Sequence, residues 1–140
     1  MDKRFLIPIL ISFIFPVTVV ALLTYGMTAG TPLYVMTEIG FIILLPAISL
    51  VYGWLTGDMR GAIIIGTIPI VLVTILGAAL NPSSLFLSGR IVQLSIFLVP
   101  LTLIGGLIGL SSSRREYSWL GLAIGLTLVW VVYFLVAGIN

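Results

Sequence analysis

A chain of 140 residues with 61% hydrophobic residues, 7% charged residues and a mean hydropathy of +1.35 is too apolar for a water-soluble domain, whose charged share is about a quarter. The sequence has neither cysteine nor histidine, which removes disulfides, thiol chemistry, imidazole bases and the usual zinc or haem ligands. Six basic and four acidic residues leave a net charge of +2, which reports membrane orientation and offers nothing to nucleic acid.

The first apolar run goes from Phe5 to about Tyr25, behind Asp2, Lys3 and Arg4. It exceeds the ~7–15 residues of a signal-peptide core, and Met27 and Ala29 make a poor cleavage site, so a retained anchor helix is expected. Further runs cover about 33–55, 61–80, 91–110 and 119–138, each near the ~20 residues that a bilayer requires. The expectation is an all-α integral membrane protein, a single domain over 1–140 with five transmembrane helices.

Between the second and third runs lies the polar stretch Gly53-Trp54-Leu55-Thr56-Gly57-Asp58-Met59-Arg60-Gly61. Asp58 and Arg60 need water and glycine tolerates turn geometry, so this is expected to be the loop of a helical hairpin. A second hairpin is expected to bend over Ser111 to Ser118. Matching Ala62–Asn81 with Gly121–Asn140 places Gly66 on Gly125 and Ala78 on Ala137, and Pro46 falls on Pro100 once the loops are allowed to differ. The N-terminal anchor is thus followed by two hairpins that read as a candidate duplication in parallel sense, against the plainer reading that apolar helices match by chance.

Lys3, Arg4, Arg60, Arg114 and Arg115 fall on one side of this topology and Arg90 on the other. By the positive-inside rule the N-terminus is cytoplasmic and Asn140 lies outside, in a multi-pass protein of the cell membrane. Tyr25, Tyr34, Trp54, Tyr117 and Trp119 at the run ends suit the headgroup level.

Small residues recur four apart near the expected cytoplasmic ends: Ser49, Gly53 and Gly57; Ala62 and Gly66; Gly105 and Gly109; Gly121 and Gly125. Such ridges let helix backbones approach closely in lipid. All four hairpin helices are expected to pack tightest at that end, with Phe41, Phe97, Trp130, Tyr133 and Phe134 holding the outer halves apart around a cavity. Five helices cannot use every glycine face internally, so a homo-oligomer or a larger membrane partner is expected besides the lipid bilayer.

Glu38 is the single acidic residue inside a predicted span, and Arg90 and Gln93 begin the fourth run at the same outer level. The three form a candidate polar or ion site: a structural ion pair on one reading, a coupling carboxylate on the other. Pro16, Pro46, Pro69 and Pro100 free the carbonyls of Ser12, Ile42, Ile65 and Ile96, which either mark kinks or coordinate a cation. Asp58 and Glu116 read as solvated loop charges, and Thr67, Thr74, Ser95 and Thr102 as hydroxyls that bond their own helices or glue neighbours.

No catalytic dyad, paired aspartates or phosphate-cradling loop is legible, so neither an enzyme nor a cofactor nor a metal site is expected. The leading expectation is a membrane scaffold or accessory subunit that packs through glycine-rich helix faces. The alternative is a small oligomeric transporter or channel for an ion, proton or small solute, using Glu38 and the proline-broken helices.

Overall fold

The computed structural model describes residues 3–22, 24, 31–80 and 91–138, and is all-helical over them. The five helices are α1 (Lys3–Ala21), α2 (Pro32–Thr56), α3 (Met59–Leu80), α4 (Ile91–Ser113) and α5 (Tyr117–Gly138). Stretches within α2 to α5 are long and apolar enough to cross a membrane, whereas the apolar stretch of α1 among the described residues, Leu6–Ala21, is shorter. The expected end of the first run at Tyr25 lies outside the described residues.

Both hinges are tighter than expected. Gly53 to Thr56 belong to α2, and only Gly57 and Asp58 stand outside helix in the first. In the second, Ser111 to Ser113 remain helical and buried, which corrects the bend expected to begin at Ser111. The reason is local: the Ser112 and Ser113 hydroxyls donate to the carbonyls of Gly109 and Leu110 at 3.2 and 2.8 Å, so these serines satisfy themselves inside the helix.

The two turns share a plan. Each places one residue in the left-handed region, Gly57 at φ 67° and Arg115 at φ 56°, and each follows it with an acidic residue whose carbonyl accepts the first bond of the next helix. Ala62 donates to Asp58 at 3.0 Å and Leu120 to Glu116 at 2.9 Å. The turns therefore superpose Gly57 on Arg115 and Asp58 on Glu116, one residue away from the register that places Gly66 on Gly125. One residue is about 100° of helix rotation, so the matched glycines do not occupy equivalent faces.

α3 and α4 form the central pair and make the most extensive helix–helix contact. α1 packs against α3, α5 against α4, and α2 touches α3, α4 and α5. Pro8 of α1 abuts Gly61 of α3, so α1 starts at the end of the bundle that carries both turns. Lys3, Arg4, Arg60, Arg114 and Arg115 all belong to that end. The core between these helices includes Phe41, Ile42, Leu45, Ile70, Leu101, Ile108 and Trp130.

Candidate functional site

The closest approaches in the bundle follow the small residues of α2, α3 and α4. A Cβ added to Gly66 would lie 2.7 Å from the Gly105 carbonyl carbon and nearer still to its oxygen, and one added to Gly105 would collide with the Gly66 carbonyl in return. One turn toward the hinges, a Cβ on Gly109 would stand 2.5 Å from the Ala62 carbonyl group. Gly53 completes the row, with Ala62 Cβ and the Gly109 carbonyl oxygen each 3.2 Å from its virtual Cβ and Ser112 Oγ closer. Ser49 ties α2 to the same seam by donating to the Ala62 carbonyl at 2.8 Å. Backbone-to-backbone contact of this kind collects dispersion energy that no bulkier pair could reach.

Arg115 interlocks the two turns. The C-terminal carbonyls of a helix lack partners within it. Gly57 N donates to Gly53 O at 2.8 Å, and Arg115 Nε, from the other hairpin, donates to Trp54 O at 3.1 Å while Nη2 donates to Leu55 O. Gly57 is needed twice over here, for its positive φ and because a Cβ would stand 3.1 Å from Arg115 Nε. Arg115→Ala is expected to lower stability by about 1 kcal/mol, since two charge-assisted bonds at an exposed site are lost. Arg115→Gly should cost less, because glycine removes the ~1 kcal/mol penalty of a left-handed side-chain residue. Denaturant titration of both variants in detergent micelles checks the order.

Asp58 is the N-cap of α3 rather than a free loop charge. Its Oδ1 accepts from Gly61 N at 3.1 Å, its Oδ2 accepts from the Tyr52 hydroxyl at 3.1 Å, and its own N–H donates to Thr56 Oγ1. Tyr52, Thr56, Gly57, Asp58, Met59, Arg60 and Ile7 line an open cleft of about 710 Å³. Beside it, Arg114 lies 4.0 Å over the Trp119 ring and Trp54 meets Tyr117 at 6.0 Å, a basic and aromatic rim of the kind that suits a headgroup layer.

At α4 and α5 the bulk expected to hold the outer halves apart fills the space between them. Trp130 is fully buried and donates from Nε1 to Leu101 O at 2.9 Å, and Phe134 packs on both Trp130 and Phe97. The Ile96 carbonyl, freed by Pro100, accepts from the Tyr133 hydroxyl at 2.8 Å. A carbonyl expected as a kink marker or cation ligand is thus occupied by a tyrosine. Thr67, Thr74 and Thr102 donate to carbonyls of their own helices at 2.8, 2.8 and 2.9 Å.

Comparison of the chain with known protein families, characterised proteins and solved structures yields no match. The functional reading therefore rests on where the anticipated residues stand. Ser49, Gly53, Ala62, Gly66, Gly105 and Gly109 come together in one seam, and Gly57 belongs to the turn beside it. Gly121 and Gly125 take no part: a Cβ on either would meet nothing within 4 Å, because α5 turns Ala123, Thr127 and Trp130 inward and its glycines outward. Glu38 stands on α2 and Gln93 on α4, both toward the end opposite the turns; their side chains, and Arg90 as a whole, lie outside the described residues. Sequence reasoning missed Arg115 as a cap and Tyr133 as the partner of Ile96. The first had no local signal, and the second was legible only as a tyrosine on the neighbouring predicted helix.

Proposed function

We propose that this protein is an integral membrane scaffold or accessory subunit whose work is helix packing, with the turn end and the N-terminus in the cytoplasm and α5 as the surface that meets a second copy. The observation that carries this reading is the unequal use of its glycines. The α3–α4 seam consumes Gly66, Gly105 and Gly109 inside the chain, while Gly121 and Gly125 stand open on α5. They share a face with Leu128 and Val132, which are 64% and 58% exposed.

Support for membrane insertion is that four helices have the needed length and apolar character and leave large apolar side chains on their outer faces. α5 is the most peripheral of them, with 11% of its apolar stretch buried in the chain against 29–33% for the others. Glycine on such a face forgoes the contacts that larger side chains make with lipid and regains them when a second backbone approaches.

The natural absence of cysteine makes a direct test available. Leu128→Cys is expected to form a disulfide-linked dimer in native membranes under mild oxidation, whereas Leu103→Cys, equally exposed on α4 at 63%, is not. Adding Gly125→Leu to Leu128→Cys should abolish the cross-link. Equal cross-linking at both cysteines, or none at position 128, rejects α5 as the contact.

A further inference from the structure

Ser12 is the one buried side chain among the described residues whose polar atom has no hydrogen-bond partner: its Oγ is fully enclosed, at 0% residue exposure. In an apolar bundle such a hydroxyl is costly. The same residue carries a second polar liability, because Pro16 lies within α1 and cannot donate to the Ser12 carbonyl. α3 repeats this arrangement with Pro69, which frees the carbonyl of Ile65.

The two arrangements fall side by side. α1 and α3 both run away from the turn end, and Pro8 packs against Gly61. Counting equal rises of about 1.5 Å per residue from that contact brings Ser12 level with Ile65 and Pro16 level with Pro69. Pro8, Ser12, Pro16, Ile65 and Pro69 are all among the most deeply buried side chains of the bundle.

From this the geometry points to a hydration site inside the α1–α3 contact, holding one water molecule between Ser12 Oγ, the Ser12 carbonyl and the Ile65 carbonyl. The donor and acceptor count closes. The water donates its two hydrogens to the two freed carbonyls and accepts the Ser12 hydroxyl proton in a hydrogen bond, leaving none of the three groups unsatisfied. Buried waters typically make about three hydrogen bonds to polar groups that would otherwise lack partners. A metal ion is a poor occupant, since even the smaller hard cations ask for about six oxygens and three are offered. The site gives a reason for paired prolines at one level of two packed helices, and it stands whether or not α5 pairs with a second copy.

Water-edited solid-state NMR of the full chain in lipid vesicles tests it. Magnetisation from water is expected to reach Ser12 Cβ and the Ile65 carbonyl carbon at short mixing times, while the lipid-facing Phe13 and Ile14 stay dark. Ser12→Ala should abolish transfer to the Ile65 carbonyl, and Pro16→Ala, which restores a donor to the Ser12 carbonyl, should weaken it. No transfer at Ser12 and Ile65 in the unaltered chain overturns the site, as does transfer at Ile65 that survives Ser12→Ala unchanged. Stability gives a second readout if a variant inserts poorly. Ser12→Ala lowers the unfolding midpoint if it removes a water partner, and a midpoint that rises instead identifies the hydroxyl as merely unpaired.

Discussion

Gly105→Leu is expected to abolish the compact bundle, and Gly105→Ala to destabilise it by about 3 kcal/mol, the upper end of the usual range for overpacking. The added carbon has nowhere to go. It would meet the Gly66 carbonyl group, with the carbonyl carbon 3.0 Å away and the oxygen closer, and a backbone atom cannot rotate aside as a side-chain tip can. Relief requires α3 and α4 to separate, which breaks the Gly109–Ala62 approach one turn away and loosens Gly53 against Ser112. Gly66→Ala should cost about as much, and the double variant less than the sum, because the first substitution already opens the space that the second needs. Gly121→Ala and Gly125→Ala serve as controls, with changes within about 0.5 kcal/mol in monomeric protein, since nothing lies within 4 Å of either virtual Cβ. Denaturant-induced unfolding in micelles, followed by tryptophan fluorescence, distinguishes the two sets. Equal losses at Gly105 and Gly125 would contradict the seam.

That seam was readable in the amino-acid order because small residues four apart carry a geometric meaning that needs no partner to be known. The pattern could not say which ridge meets another ridge of the same chain. Gly121 and Gly125 repeat the spacing of Gly105 and Gly109, yet the αL turn at Arg115 starts α5 one residue out of the register that the sequence match requires. One residue of rotation turns a ridge from the core to the outside. The helix ends shifted for a related reason: Ser111 to Ser113 look like loop by composition, but each buried serine that bonds a carbonyl three residues back can extend a helix. Arg115 lay beyond local reasoning altogether, because the carbonyls it caps are 61 and 60 residues away. The hydroxyls of Tyr52 and Tyr133 show the same limit, since composition places a tyrosine at a helix end without saying which polar group it answers.

Trp130→Ala is expected to lower stability by about 3–5 kcal/mol, as for other large aromatics cut out of a packed interior. Trp130 is fully buried, stacks on Phe134 at 5.5 Å and donates to Leu101 O, so the loss combines a cavity with the loss of a buried hydrogen bond between the two helices. Trp130→Phe keeps most of the volume and should cost about 1 kcal/mol, close to the net worth of one hydrogen bond. Tyr133→Phe isolates a second polar tie between α4 and α5. It strips the hydroxyl from the Ile96 carbonyl that Pro100 has left without a helical donor, for an expected loss of about 1–2 kcal/mol. Pro100→Ala restores a backbone N–H within reach of that carbonyl, so in a Pro100→Ala background the cost of Tyr133→Phe should fall toward zero. A double-mutant cycle on unfolding free energies measures the coupling. Additive losses would mean that Tyr133 contributes through its ring against Phe97, 6.4 Å away, and not through its hydroxyl.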